Sequence, residues 1–202
     1  MTLDTLRADS AQKQKKGIHF ILASILIWTA VFFLHRTELP ILTKNFLTFC
    51  FTAPLLPLAF GISKLIGVDF TQKDNPLTSL GIIFSLNQML YLLIAMWIFN
   101  AVPEKMVMIL AMIFGAHLLP YGWLYRSRTY VGMSIIIPLS TLFLGTQFSP
   151  SVVAGAMIGF EIVFSLLLTW ELKPIHPASN SATATATDNN EKKASDGLPT
   201  TP

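Results

Sequence analysis

Charge is what this sequence has least of. Lys, Arg, Asp and Glu together make up 12% of the chain, against about 25% in a typical soluble domain. Fourteen basic and eleven acidic side chains do not suffice to cover a 202-residue globule in water. Cysteine is nearly absent as well. A single one, Cys50, rules out an internal disulfide and a CxxC redox or metal site. It lies in an apolar run, where a small buried hydrophobe is expected. The sequence contains no HExxH, GxSxG, Walker A or GxGxxG. It also lacks zinc-finger spacing and the interleaved basic and aromatic residues of a nucleic-acid surface. No cofactor, metal or nucleic acid is therefore expected, and an enzyme has no positive support.

Apolar residues are abundant. They supply 52% of the chain, with 15 Phe and 8 Met, and the mean hydropathy is +0.58. The net charge of +3 sits in short clusters beside apolar runs, which is how helices are oriented in a bilayer. The fold class that follows is all-α, a polytopic transmembrane bundle with the lipid bilayer as solvent.

Six apolar runs are long enough to count. They cover about 17–34, 46–66, 77–99, 105–125, 131–145 and 151–170, giving a membrane domain over 17–173. The polar segment 1–16 before it is suited to a short surface helix with Leu3, Leu6 and Ala11 on its interfacial side. No small-residue cleavage site follows the first run, so it is expected to be retained as a helix. Pro54 and Pro57 should kink or break the second. The fifth is the weakest, short and carrying Pro138, and is open to reading as a re-entrant segment. Pro76, Pro103 and Pro150 stand at or before helix starts. Tyr121, Trp123 and Tyr125 read as an interfacial aromatic belt. Residues 174–202 contain almost no large apolar side chains and are expected to be a disordered tail.

Six crossings put both termini on one side. With that side cytoplasmic, Arg7, Lys13, Lys15, Lys16, Lys64, Lys73, Arg126, Arg128, Lys173, Lys192 and Lys193 are inside. Arg36, Lys44 and Lys105 are outside, a ratio of eleven to three. A multi-pass protein of the cell's inner membrane is the expectation, with both termini cytoplasmic.

Polar residues within the runs are the candidate site. Glu161 falls near the midplane of the sixth run. A carboxylate there is costly in hydrocarbon and must face protein or a wet cavity. It reads either as a proton or cation relay or as a helix-to-helix hydrogen bond. His117 lies deep in the fourth run with Tyr121 one turn on; it is a proton partner or a satisfied core histidine. Asn87 and Gln88 stand mid-membrane in the third run, about 100° apart, so they serve different neighbours; Asn87 shares a face with Tyr91. Gly155 and Gly159 make a GxxxG and Ala111 and Gly115 a second small pair, both permitting close helix approach. Glu161 lies off the Gly155–Gly159 face, beside Ala154, Ile158 and Ser165.

The stretch over residues 6–33 carries Leu6, Arg7, Lys15, Lys16, Gly17, Phe20, Ile21, Leu22, Ala23, Ser24 and Trp28. It resembles the opening of a family of small, poorly characterised bacterial multi-pass membrane proteins, with an "ELR"-like segment, a Lys-rich GxxFILAS and an early tryptophan. The resemblance implies a bacterial inner-membrane protein of unknown function and brings no catalytic residue with it. Three readings follow: a small transporter-like or channel-like bundle for a small solute or proton, a membrane interaction or assembly protein, and, least supported, a lipid-active enzyme. The chain is suited to work alone or as a homo-oligomer.

Overall fold

The computed structural model describes residues 2–68 and 75–172. Among these residues the chain is helical with no strand. Its helices are α1 (Leu3–Lys13), α2 (Ile18–Leu34), α3 (Ile41–Thr52), α4 (Leu55–Leu65), α5 (Leu77–Ala101), α6 (Met106–Leu124), α7 (Arg128–Gln147) and α8 (Pro150–Leu172). The expected tail, Lys73, Lys173, Lys192 and Lys193 lie outside the described residues.

Five helical stretches are long and apolar enough to cross a membrane. They are Lys15–Leu34, Leu77–Ala101, Pro103–Leu124, Arg128–Gln147 and Pro150–Leu172. The sixth crossing is divided. α3 and α4 meet at a 40° bend, where Pro54 has no N–H for the Cys50 carbonyl and Pro57 none for that of Ala53. The bend also lengthens this segment, which starts at Ile41 rather than near Phe46.

The fifth segment is not the weak one. α7 is a 20-residue helix that continues through Pro138. Hydropathy truncates it because its ends, Arg128–Tyr130 and Thr146–Gln147, are polar, yet they remain helical. Ser127 caps its first turn by accepting from the Tyr130 N–H. The doubtful crossing is therefore the second. Lys16 Nζ lies 2.7 Å from Glu171 Oε2. The start of α2 and the end of α8 thus share one end of the bundle, which fits α3 and α4 as a single bent span.

α1 also departs from expectation. Rather than lying flat on an interface with Leu3, Leu6 and Ala11 beneath it, it docks on the bundle end. Leu3 is exposed while Ala11 is buried. Arg7 donates through Nε (2.9 Å) and Nη2 to the Trp123 carbonyl, and its guanidinium stacks on the Trp123 ring. A cation on that carbonyl complements the C-terminal end of α6. Asn75 Nδ2 donates to the Leu6 carbonyl at 2.8 Å.

Between α1 and α2 the backbone takes three successive positive φ values, 44° at Lys15, 50° at Lys16 and 71° at Gly17. Such residues cost about 1–3 kcal/mol each when not glycine. Long-range bonds hold the turn. Lys15 Nζ donates to the Ile66 carbonyl, and Tyr130 Oη donates to the Lys16 carbonyl at 2.7 Å. A Cβ at Gly17 would lie 3.1 Å from that same Tyr130 Oη.

The tightest packing joins α6 and α7. A Cβ at Gly115 would fall 2.6 Å from Pro138 Cδ and 2.7 Å from Ile137 Cγ2, so the Ala111–Gly115 pair does permit close approach. The Gly155–Gly159 pair does not act as one. Gly155 meets Phe32, but a Cβ at Gly159 would meet nothing within 4 Å. Cys50 is exposed, not buried as expected, because it faces outward on the one broken crossing.

Candidate functional site

α5 lies at the periphery, with Ala95 its one buried residue. It contacts α6 but leaves a gap toward α2 and α4. That gap is a cavity of about 770 Å³ at the α1 end of the bundle, within the size range of sites for drug-sized molecules. Its wall is mainly apolar. Leu56, Ile82, Leu86 and Met89 line it and are each more than half exposed. These exposed apolar side chains place its opening between α4 and α5.

Polar groups gather on the inner wall. His117, Tyr121 and Tyr125 recur every four residues on one face of α6 and all line the cavity. His117 Nδ1 lies 2.5 Å from the Phe114 carbonyl. An imidazole that donates from Nδ1 keeps Nε2 for another partner. Tyr121 Oη donates to the Gly81 carbonyl at 3.0 Å and lies 2.7 Å from Ser85 Oγ, which ties α6 to α5 at the cavity wall. Tyr125 Oη donates to Gln14 Oε1 at 2.8 Å. The rings of Tyr121 and Tyr125 stack at 6.0 Å, and Tyr130 stands 5.7 Å from Tyr125. Tyr121 and Tyr125 are thus wall residues rather than an interfacial belt. Trp123 alone of that trio faces outward.

Of the five residues singled out from the sequence, the structure brings three together. Gln88, His117 and Tyr121 line the same cavity. Asn87 does not, because the 100° step along α5 turns it to the outer side, where its Nδ2 donates to Tyr91 Oη at 2.9 Å. Glu161 does not either. It is fully buried between α8 and α2, behind the cavity wall. It shares its buried face with Ala154 and Ser165, as the spacing predicts.

The Glu161 contacts can be counted. Ser24 Oγ lies 2.8 Å from Glu161 Oε2 and 2.9 Å from the Ile21 carbonyl. A serine has one hydroxyl hydrogen and can donate to only one of them. Both contacts are hydrogen bonds when Glu161 is the neutral acid, donating to Ser24 while Ser24 donates to Ile21. Glu161 Oε1 has no hydrogen-bond partner among the described residues.

Sequence reading passed over His19, Ser85 and Gln14 on the cavity wall. Their signal is weak, since each is a lone polar residue near a helix end or one turn from another. Ser24 was noted only as part of a resemblance. A second polar cluster closes the same end of the bundle. Glu171 accepts from Lys16 Nζ (2.7 Å), Ser127 Oγ (2.6 Å), the Thr129 hydroxyl (2.7 Å) and the Thr129 N–H (3.0 Å). A carboxylate at the first turn of α7 complements the helix dipole. Among the described residues no group of three or more His, Cys, Asp or Glu is placed to hold a metal ion.

The fold defined by these helices is a polytopic α-helical membrane bundle, with a cavity between α2, α4, α5 and α6. The chain belongs to a family of unknown function (DUF7010), whose model matches residues 3–171, from α1 to the last turn of α8. No curated protein and no solved structure matches it.

Proposed function

We propose that this bundle takes a small amphipathic molecule from the bilayer into the cavity between α2, α4, α5 and α6, as the binding step of a transporter-like protein. The observation that carries this reading is the cavity itself, with an apolar sideways mouth and a polar inner wall. Among the described residues none of its lining is Asp, Glu, Lys or Arg. The polar end of the solute is then uncharged, an alcohol, amide or ketone, because a desolvated ion would find no countercharge there. Gln88 and the Nε2 of His117 are the contacts for it, and the tyrosines form the floor.

Glu161 favours a second, structural role beside this one. Its only hydrogen-bond contact among the described residues joins α8 to α2, and the cavity lining does not include it. It holds helices together rather than coupling a proton to solute movement.

The described basic residues support a cytoplasmic α1 end. Arg7, Lys13, Lys15, Lys16, Lys64, Arg126 and Arg128 belong to that end, and Arg36, Lys44 and Lys105 to the other, seven against three. The mouth of the cavity is then nearer the cytoplasmic leaflet.

The test uses the purified full-length protein and a pyrene-labelled long-chain alcohol, followed by fluorescence. Saturable binding is expected, at least tenfold tighter than for the matching fatty acid or alkylammonium. His117→Ala and Leu86→Trp should each weaken it, the first by removing the polar contact and the second by filling the mouth. Glu161→Gln should leave binding and any flux in reconstituted vesicles unchanged. No saturable binding, or binding indifferent to both cavity variants, overturns the cavity reading. Flux abolished by Glu161→Gln in a folded protein restores Glu161 as a coupling residue.

A further inference from the structure

Exposed leucine and isoleucine on α5 need no explanation in a membrane, because lipid is as apolar as they are. An exposed amide does. Asn87 stands ten residues into α5, about 15 Å along its axis, which is half the hydrocarbon thickness of roughly 30 Å. It is exposed. Its one hydrogen bond among the described residues goes to Tyr91 on the same helix. The second amide hydrogen and the carbonyl oxygen therefore face hydrocarbon, where an unmet polar group is costly.

The residues around it form a pattern. Ile83, Asn87, Leu90, Ile94 and Trp97 follow one another at intervals of four, three, four and three. This is the heptad spacing of a helix–helix seam. Ile83, Leu90, Ile94 and Trp97 are each more than half exposed, and none of the five lines the cavity. The stripe is thus free of the bundle's own packing along about four turns. A single asparagine in an otherwise apolar seam is the device that sets register and partner number in two-stranded coiled coils.

We propose that this stripe is the interface of a homodimer, in which α5 packs in parallel against α5 of a second copy and the two Asn87 side chains hydrogen-bond to each other. The occupant follows from chemistry and symmetry. An amide carries both donor and acceptor and is complementary to itself. Two copies inserted in the same orientation place Asn87 at the same depth. A two-fold axis along the membrane normal brings like residues face to face, the isologous arrangement of most dimers. The cavity mouth, formed by Leu86 and Met89 one step around α5, stays outside the seam.

Cys50 is the sole cysteine and is exposed, so donor and acceptor dyes can be placed there without other changes. Energy transfer in vesicles, measured while the protein is diluted with lipid, should report a dimer that dissociates on dilution. Asn87→Leu should move the midpoint to roughly three- to twentyfold higher protein density, and Asn87→Gln should restore it in part. A second measurement does not depend on that variant. In a Cys50→Ser background, Asn87→Cys should cross-link to a dimer on mild oxidation. Gly159→Cys, on the open face of α8, should not. Energy transfer that stays at the random level at every density overturns the proposal. So does a midpoint unmoved by Asn87→Leu, or cross-linking at Gly159 that equals or exceeds that at Asn87.

Discussion

Asn87 and Gln88 are neighbours in sequence, yet one faces lipid and the other a cavity; single side chains in this protein are defined by direction. The same holds for His35, just past the end of α2. Its Nε2 lies 3.1 Å from Thr48 Oγ1, whose own hydrogen is donated to the Lys44 carbonyl at 2.9 Å. The hydroxyl oxygen therefore accepts from a His35 N–H. Burial first, and then the Lys44 charge, pull His35 from 6.5 down to about 4. The unfolded histidine takes its proton near pH 6.5 and the folded one only near 4. The stabilising contribution is thus present above pH 6.5 and lost as the pH falls from 6.5 to 4. Thermal unfolding of the protein in detergent should show a midpoint that declines across that window. His35→Gln, which keeps a donor for Thr48, should flatten the decline. An unaltered slope in the variant would assign the pH dependence to other groups.

At the level of elements, two small-residue pairs that look alike in sequence have different consequences. Gly115 lets α6 approach Pro138 and Ile137 of α7. The ring that seems to weaken α7 is thus part of one of its closest contacts with α6. Gly159 faces open space. Gly115→Val should destabilise the protein by about 1–3 kcal/mol or more, because neither a proline ring nor a β-branched side chain can give way cheaply. Gly159→Ala should be neutral or stabilising by up to about 1 kcal/mol, since alanine restricts the unfolded chain and favours helix. Equal effects of the two in thermal or denaturant unfolding would mean that the α6–α7 contact is looser than described. The broken crossing shows the opposite use of proline. Pro54 and Pro57 lie three apart and remove two rungs within one turn of the helical ladder, and a bend results. Pro138 is isolated and removes one, and α7 continues.

For the whole molecule, the Lys16–Glu171 pair is the most informative contact. It joins the start of α2 to the end of α8, and Glu171 caps α7. With the α1 end cytoplasmic, green fluorescent protein fused after Leu172 should fluoresce in a bacterial host. Alkaline phosphatase fused after Glu38 should be active, because it is exported. Dark fluorescent protein with inactive phosphatase would invert the orientation, and dark fluorescent protein with active phosphatase would remove the α3–α4 passage.

The sequence alone determined the solvent and the rough limits of five long apolar helices. Those properties follow from run length and charge placement, which are local sums along the chain. It also determined that Glu161 would turn away from the Gly155–Gly159 face and that Asn87 and Gln88 would part, since both follow from helical pitch. Tertiary structure alone decided which polar residues meet. Gln88, His117 and Tyr121 come together because α5 stands off from α2, and no pattern within one helix encodes that gap. Glu161 is separated from them because Ser24, on a helix far away in sequence, offers it a partner first. Tyr121 and Tyr125 turn inward for the same reason, drawn by Gly81, Ser85 and Gln14. In hydrocarbon every polar group needs a partner within the protein, and its partner is set by which helices are adjacent.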